Sequence, residues 1–524
     1  MESITKTAVD FCVDHLRITL LVALLVAYIV YAVLVDPLRH IPGPLLARHL
    51  PGWLAIQAFR GQTEAAVLDA HRTYGDVVRI GPRTVVAGSA EAVRKVLGYG
   101  DHYLDKSPDY DALVVHTPSI FSETDRTAHA RKRRIAAHTY SMQSLTRMEH
   151  VVATNLDVFL GQMDRCAARA QPMDAAVWFK FYAFDVIGDL AFGRGFGMLQ
   201  RGVVDDFVRC ISDGVEFTFV RFLLPSFLRP LCQLLVEYLP FSLFRELKSG
   251  FAFTDLSSEK ETTRLVQDRW IKRDGVAAQR GDILGALMEA RDPATNERLE
   301  FAELATNAST NIIAGSDTVT ISLTAIVYHL LRNPDRAAQL TAEVRGSSLG
   351  DAPLYRDIQR LPYLDACIKE GMRLTTPFAG PLPRLSPSQG GLDIGGTHIP
   401  PGTVVNVMQC QIHNDGRIFH DPESFTPERW LVSSDSGKEL DKYFLGFSTG
   451  PRSCIGKNIA LLEMKLLLYS FFRRYDLSLL DPGAELRCRR YLVTKPLSSV
   501  LVRVQSAGVG SEQAAGNRAE ASVS

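Results

Sequence analysis

The sequence predicts a mostly α-helical protein with a minor β portion, built as a single large domain behind an N-terminal transmembrane helix. Three observations support this fold class. Residues 18–35 carry no charge, helical periodicity dominates from Ser122 onward, and strand and turn signals are concentrated in residues 77–87 and 390–407. No internal repeat and no long linker divides the chain, so we expect one main domain.

Composition excludes several classes of function. The 524 residues are 46% hydrophobic, and 58 Lys and Arg residues balance 58 Asp and Glu residues, so the formal net charge is zero. Without a global electrostatic field we expect no nucleic-acid partner. The eight cysteines are scattered and form no Cys-x-x-Cys pair. This distribution argues against a zinc ribbon and favours a reducing compartment.

The N-terminal region is predicted to anchor the protein in a membrane. A short segment, residues 1–17, precedes an apolar span at residues 18–36, close to the roughly 20 residues that cross a bilayer as a helix. Tyr28 and Tyr31 lie toward the end of the span, where amphipathic rings favour the membrane interface. A cleaved signal peptide would have a shorter apolar region and a small-x-small cleavage site. We therefore expect a single uncleaved membrane pass.

Residues 37–505 are predicted to form the main domain, and residues 506–524 form a small, polar tail that we expect to be disordered. Prolines directly after the anchor should stop its helix and stiffen the connection. The cysteine usage places the main domain in the cytosol. Residues 217–244 are apolar but interrupted by prolines. They form either a core helix pair or a surface lip that dips into the bilayer.

Residues 447–456, FSTGPRSCIG, place one cysteine in a loop directly before a helical pattern. Cys454 lies between Gly450 and Gly456, which allow positive φ or the close approach of a flat ligand. At a helix N-terminus the dipole and free N–H groups stabilise a thiolate and should lower its pKa. Such a thiolate serves as a nucleophile or as a metal ligand. A nucleophile needs a base, and no histidine is near in sequence, whereas a ligand suits haem iron.

The pattern Phe-x-x-Gly-x-Arg-x-Cys-x-Gly resembles the haem-binding loop of the cytochrome P-450 monooxygenases. The resemblance covers nearly the whole chain after the anchor. It implies the cytochrome P-450 fold and a haem b cofactor whose iron is bound by Cys454. It also implies that Arg452 faces a haem propionate, that Phe447 shields the sulfur, and that Gly456 leaves room for the porphyrin.

A helical run at residues 301–331 contains the sequence AGSDT at residues 314–318. Taken alone, this is a core helix with a polar turn, which Gly315 and Thr318 should loosen. In the family that the chain resembles, this element crosses the haem on the oxygen side. Asp317 and Thr318 match its proton-delivery pair, so the resemblance implies that they are the catalytic residues.

Two further sets of residues match the same family. Glu370 and Arg373, together with Arg429 in Pro-Glu-Arg-Trp, resemble its Glu-Arg-Arg triad, which locks the cysteine loop and serves folding and haem retention. Haem propionates need cationic or hydrogen-bonding partners. Besides Arg452, the resemblance assigns the binding of the propionates to three more residues. They are Arg384, Arg133 and His129, the last standing where the family has tryptophan.

The run Arg-Lys-Arg-Arg at residues 131–134 is more basic than propionate binding requires. It is either a solvated helix face or a docking patch for an acidic electron donor. The chain has no Gly-rich dinucleotide fingerprint in a βαβ setting and no spare length for a flavin domain. The resemblance therefore implies an NADPH-cytochrome reductase as partner in the same membrane, that of the endoplasmic reticulum.

Residues 178–193 are similar to membrane-bound fungal enzymes related to benzoate para-hydroxylases, many of which act in secondary metabolism. We expect the substrate to be a hydrophobic small molecule, a fungal secondary-metabolite intermediate. A small aromatic acid is the alternative, and it requires a cationic anchor in the pocket that the sequence does not identify. The substrate pocket is predicted from the neighbourhood of the cysteine loop and the AGSDT helix. Its residues are Thr310, Asn311, residues 378–380 and residues 104–121.

The same residues bear on two functions of other classes. An oxygen-independent haem-thiolate isomerase or dehydratase would act without NADPH or O₂, and the Asp317–Thr318 pair argues against it. A haem carrier or sensor without turnover has no use for a proton relay. A monooxygenase is therefore the expected function.

Overall fold

The computed structural model describes most of the chain. The described residues are 15, 19–20, 22–23, 26–28, 30–98, 103–114, 117–238, 258–271, 281–431 and 435–507. The predicted anchor at residues 18–36 lies partly outside them, and so does nearly all of the predicted tail at residues 506–524. Residues 1–17 are also outside, except His15.

Helices dominate the described residues, as the sequence predicts. The α-helices are α1 (Leu45–His49), α2 (Trp53–Phe59), α3 (Thr63–Tyr74), α4 (Ala90–Ala92), α5 (Arg126–Ala137), α6 (Met142–Ala168), α7 (Ala175–Phe192), α8 (Met198–Arg201), α9 (Asp206–Leu223), α10 (Arg229–Tyr238), α11 (Ser258–Ile271), α12 (Ile283–Glu289), α13 (Phe301–Arg332), α14 (Pro334–Gly346), α15 (Tyr355–Ile358), α16 (Pro362–Leu374), α17 (Gln409–His413), α18 (Asp435–Asp441) and α19 (Lys457–Arg474). Short 3₁₀ turns lie at Pro108–Leu113, Ser226–Leu228, Pro427–Trp430 and Gly450–Arg452, and π-helical turns at Tyr31–Val35 and Val93–Leu97.

The β portion is small and lies beside the helices. Its strands are β1 (Val77–Gly81), β2 (Thr84–Ala87), β3 (Met173–Asp174), β4 (Arg384–Leu385), β5 (Leu392–Ile394), β6 (Thr397–Ile399), β7 (Val404–Asn406), β8 (Tyr475–Leu479), β9 (Cys488–Arg490), β10 (Thr494–Pro496) and β11 (Leu501–Ser506). They form sheets of order β1-β2-β7-β4 and β3-β11-β8, with the pairs β5-β6 and β9-β10. Of these pairings, only β2 with β7 is parallel.

The 32-residue helix α13 lies at the centre of the core, where it packs against α7, α16 and α19. Within the described residues it is the one helix long and apolar enough to cross a membrane, but 67% of its apolar window is buried inside the protein. A helix that is apolar all round is a core helix when other helices cover it. Helix α13 is therefore the central core helix of the domain.

Helix α13 is continuous through residues 314–318, so the expected loosening of the helix is wrong. Thr318 Oγ1 does donate to the carbonyl oxygen of Ala314, at 2.6 Å. Five other hydroxyl groups of this helix bond back in the same way without breaking it. They belong to Thr310, Ser316, Thr320, Ser322 and Thr324. Gly315 serves packing instead, because a Cβ there would lie 3.0 Å from Cδ1 of Ile187 on α7.

The connection between the predicted anchor and the domain is fixed to strand β1. Asp36 and Arg79 form a buried ion pair, with Oδ2 2.6 Å from Nη1. The Arg79 amide donates to the Pro42 carbonyl at 2.7 Å, and Gly43 is required because a Cβ would lie 2.0 Å from the Arg79 carbonyl oxygen. Ile41 is completely buried. The residues after the anchor are therefore part of the folded domain.

The described part of residues 217–244 divides into a buried and an exposed portion. The end of α9 belongs to the core, since Phe219 and Phe222 are buried. Beyond it, Phe227, Leu231 and Leu234 are exposed, and residues 239–244 lie outside the described residues. The first part is a core helix, and the described second part presents apolar side chains to solvent.

Candidate functional site

The cysteine loop is closed by its own backbone. The Cys454 amide donates to the Phe447 carbonyl at 2.9 Å, and the Ser453 amide donates to the Gly450 carbonyl at 3.0 Å. Gly450 has φ of 76°, and a Cβ there would lie 1.8 Å from the Leu97 carbonyl oxygen. Gly450 is therefore required by the protein backbone itself. Gly456 has φ of −81°, and the nearest atom to its Cβ would be Cys454 Sγ at 3.9 Å, so space remains beside it.

The Cys454 side chain is solvent-accessible, yet enough protein surrounds it for burial to raise the pKa of the thiol. Hydrogen bonding from the backbone N–H groups of Gly456 and Lys457, and the charge of Arg133, lower that pKa but do not outweigh burial. In the protein alone, the expected lowering of the pKa is therefore wrong. A bound metal cation removes the proton from a coordinating thiol outright. A side chain that solvent reaches although protein surrounds it is typical of the wall of an internal cavity.

The predicted oxygen-side residues lie on helix α13. Ala314 is exposed although it is in the middle of this largely buried helix, so its face borders an open space. Asp317 and Thr318 are half-buried. Within the described part of the chain, the Asp317 carboxylate has no hydrogen-bond or ion-pair partner, whereas the Thr318 hydroxyl proton is held by the Ala314 carbonyl.

Tyr140 connects the helix to the cysteine loop. Its hydroxyl donates to Asn311 Oδ1 at 2.8 Å, and its carbonyl oxygen accepts from Asn458 Nδ2 at 3.0 Å. Asn311 is one turn before Ala314, and Asn458 is four residues after Cys454. Tyr140 thus holds the two halves of the site together. The sequence shows no pattern that would identify it, because its partners are more than 100 residues away.

Three positive side chains gather near the predicted propionate position. Arg384 is buried, with Nη1 3.3 Å from the Tyr110 hydroxyl, and Arg452 donates to the Glu123 carbonyl at 2.6 Å. Lys106 lies in the segment that pairs with Arg384, and it too is buried. Burial and the neighbouring charges lower the pKa of Arg452 to about 10 and that of Lys106 well below its usual value. Lys106 lies within the predicted pocket segment at residues 104–121, but no sequence pattern marks it as one of these cations.

His129 and Arg133 lie on α5, beside this group of cations. His129 is buried, and burial together with the charge of Arg452 lowers its pKa to about 3, so the ring is neutral and keeps one N–H donor. Arg133 reaches the cysteine loop: Nη1 donates to the Ser453 carbonyl at 2.7 Å.

The Glu-Arg-Arg triad is assembled and buried. Arg373 donates to both carboxylate oxygens of Glu370 at 2.9 Å, and Arg429 Nε donates to one of them at 3.1 Å. Arg373 also donates to the carbonyl of His413, whose Nε2 accepts from the Leu445 amide at 2.9 Å. Leu445 is two residues before Phe447. The triad is thus connected to the start of the cysteine loop through one histidine.

The side chains of the basic run at residues 131–134 have partners within the protein, although Arg134 remains exposed. Arg131 pairs with Glu303, Lys132 with Glu123 at 2.8 Å, and Arg134 with Asp292 at 2.6 Å. Arg133 contacts Ser453, as described above. These contacts leave the run little free charge for a docking patch.

The predicted pocket residues separate into two groups. Thr310 bonds back to the Thr306 carbonyl, and Asn311 is bonded to Tyr140. Phe378 and Phe121 pack edge to face at 6.3 Å, and Phe121 is exposed. The amide of Ala379 donates to the Leu492 carbonyl at 2.6 Å, which holds the loop at residues 378–380 in place. The aromatic pair is the better candidate for contact with substrate.

The residues present fit a haem with a thiolate on its iron. Three features surround one region. They are the accessible Cys454 thiol, the exposed Ala314 on the central helix, and a group of cations that no carboxylate of the described residues pairs with directly. Arg452 Nε is buried and has no partner among the described residues, as expected of a donor awaiting a propionate oxygen. The fold and the site therefore define a haem-thiolate protein.

The chain belongs to the cytochrome P-450 family, whose family model matches residues 44–501. Its cofactor is accordingly a haem with cysteine-ligated iron, and the enzyme is a monooxygenase that takes electrons from a redox partner. Phe447, Arg452, Cys454 and Gly456, predicted from one loop, fall within the matched region.

Several characterised proteins are similar to this chain. Benzoate 4-monooxygenase bphA of Aspergillus niger is 34% identical, over 88% of this chain and 91% of its own. Trichothecene C-4 hydroxylase of Trichoderma arundinaceum is 31% identical, over 89% and 91%. The crystal structure of the cytochrome P450DA heme domain has a TM-score of 0.71 at 21% identity, and it covers 85% of this chain and 93% of its own. That structure supports the fold.

Proposed function

We propose that this monooxygenase would hold its haem iron through the Cys454 thiolate and that it oxidises a hydrophobic small molecule, a fungal secondary-metabolite intermediate. The observation that carries this proposal is the accessible Cys454 thiol in a closed loop beside buried cations. Trichothecene C-4 hydroxylase, a similar protein, supports the substrate class. Benzoate 4-monooxygenase supports the second candidate, a small aromatic acid.

The chain's own residues have distinct parts in the reaction. When bound, the haem supplies the iron on which O₂ is activated. Arg452, Arg384 and His129 would hold its propionates, and Phe447 would shield the sulfur. Thr318 donates its proton to the Ala314 carbonyl, which leaves its oxygen free to accept a hydrogen bond. The unpartnered Asp317 relays protons from solvent.

The same proposal includes a membrane location and an electron donor. The described positions before Asp36 present apolar side chains to solvent, including Leu20, Val26 and Leu34. Leu45, Leu46 and Leu50 are also exposed, and their neighbour α2 packs against the end of α9, near the exposed Phe227. Such a surface suits the endoplasmic reticulum membrane, where an NADPH-cytochrome reductase would supply electrons.

A reduced CO-difference spectrum of the full-length protein tests the ligand assignment. We expect the Soret band of a thiolate-ligated haem, and Cys454→Ser should lose both this band and activity. Cys488→Ser is the matched control, because Cys488 is a half-buried thiol of strand β9, and it should keep the band. A thiolate band in Cys454→Ser would overturn the assignment. Turnover should require both NADPH and O₂, and turnover without them would identify an isomerase or dehydratase.

A further inference from the structure

Lys106 is a buried cation to which the proposed binding of haem assigns no role. It is 5% exposed, and its ammonium lies 4.1 Å above the ring of Tyr110 and 4.7 Å from that of Phe121. It donates to the carbonyl oxygen of Phe121. Lysine is almost never buried to this degree without a paired charge. Among the described residues, no carboxylate forms an ion pair with Lys106.

Three carboxylates close to Lys106 in sequence or in space have partners elsewhere. Glu123 is 2.8 Å from Lys132, Asp109 is 3.3 Å from Arg229, and Asp105 pairs with Arg126. Glu123 acts on Lys106 and Arg452 from a distance but pairs directly with Lys132, so among the described residues Lys106, Arg384 and Arg452 form no direct ion pair with a carboxylate. Haem brings two propionates, so three cations leave one positive charge unbalanced.

The position of Lys106 indicates where an anion that balances the third positive charge would lie. The Phe121 ring that the ammonium contacts is accessible to solvent and packs against Phe378. Tyr110 continues the aromatic wall toward Phe222, at 5.2 Å between ring centroids. The cation thus lies at the junction between the propionate side and an apolar aromatic wall. A ligand with a flat apolar body and one carboxylate matches both parts of this junction.

We propose that Lys106 binds the carboxylate of an acidic substrate whose apolar body packs against Phe121 and Phe378. This inference rests on the proposed function and deepens it, since it names the substrate class as an apolar or aromatic carboxylic acid. It supplies the cationic anchor that the aromatic-acid alternative requires. A haem propionate is the other carboxylate that Lys106 could meet, and the experiment separates the two.

The test is calorimetric binding of ligand pairs that differ only in charge, made with the haem-loaded protein. The pairs are benzoate and benzamide, 2-naphthoate and 2-naphthamide, and dodecanoate and dodecanamide. For at least one pair, the carboxylate should bind about tenfold or more tightly than the amide, because a charge-assisted contact in a buried site is worth that much. Lys106→Met should abolish this preference, and Lys106→Arg should retain part of it.

Lys95→Met is the matched control, since Lys95 is an exposed lysine paired with Glu91, and it should leave the preference unchanged. Equal binding of acid and amide in every pair by the unaltered protein, or no binding of any, would overturn the proposal without use of a variant. If Lys106→Met loses haem and both members of a pair weaken together, the anion is a propionate and the proposal is wrong. The CO-difference spectrum reports the proposed function separately, so the two failures are distinguishable.

Discussion

Arg133 makes two contacts with Ser453, the residue before Cys454. Its Nη1 lies 2.7 Å from the Ser453 carbonyl oxygen and its Nη2 3.3 Å from the hydroxyl oxygen. A planar guanidinium fixes two acceptors at once, which a flexible ammonium does not. The arginine of helix α5 therefore positions the backbone that presents the thiol.

Arg133→Met should weaken haem retention. Loss of charged hydrogen bonds to a partly buried loop costs about 1.5–3 kcal/mol, so the variant should release haem faster and unfold at lower temperature. Haem transfer to an acceptor protein and thermal unfolding measure the two effects. Arg209→Met, which removes an exposed arginine paired with Asp206, should match the unaltered protein. Unchanged haem transfer in Arg133→Met would count against the positioning role.

Gly450→Ala and Gly456→Ala should have different consequences. Positive φ costs a residue with a Cβ about 1–2 kcal/mol, and the clash with the Leu97 carbonyl at position 450 adds to this. Gly450→Ala should therefore destabilise the protein with or without haem. Gly456→Ala should leave the haem-free protein unchanged and lower haem affinity, because its methyl group would occupy the space proposed for the porphyrin. Thermal unfolding of each variant, measured with and without haem, decides between these outcomes.

Thr318→Ala should bind haem normally but consume NADPH without matching product. The hydroxyl oxygen that is free to accept a hydrogen bond from a proton-carrying water is then absent, so reducing equivalents escape as peroxide. The ratio of product to NADPH and the peroxide yield measure this coupling. Ser322→Ala on the same helix also deletes a hydroxyl that bonds back to a carbonyl, and it should stay coupled. Equal coupling in both variants would refute the relay assignment.

Glu463→Gln should change how stability depends on pH. Both carboxylate oxygens of Glu463 are buried without a partner among the described residues, and burial raises its pKa well above 4.5. Below pH 4.5 the group is neutral in both states. Above it the unfolded state loses a proton that the folded state keeps, so stability falls by up to about 1.4 kcal/mol per pH unit until the folded pKa is reached.

The glutamine variant lacks this titration, so at neutral pH it should unfold at a higher temperature than the unaltered protein. At pH 4 the two should be nearly equal. Glu297→Gln, which replaces an exposed carboxylate, should show no such divergence. Parallel stability curves for Glu463→Gln and the unaltered protein would contradict the prediction.

Local patterns in the sequence predict several elements with accuracy. The strands expected in residues 77–87 form at Val77–Gly81 and Thr84–Ala87, and the central helix begins at Phe301 as expected. In each case the signal lies in consecutive residues. The cysteine loop belongs to the same group, because its chemistry is contained in ten adjacent residues.

Features that depend on distant partners were not predictable in this way. The charges at residues 131–134 resemble a free basic patch until folding brings Glu303 and Asp292 to them. Lys106 is an ordinary lysine in the sequence, and only the packing of Tyr110 and Phe121 around it makes it a buried cation. Long-range pairing and burial, rather than residue type, decide these roles.

The ion pair between Asp36 and Arg79 has a consequence for the whole enzyme on a membrane. Because the chain from Asp36 to Gly43 is packed onto strand β1, a membrane helix ending at Val35 would meet the domain at a rigid joint. Rotation of that helix would then turn the domain with it, as a single body. Each surface of the domain would keep a constant tilt toward the lipid.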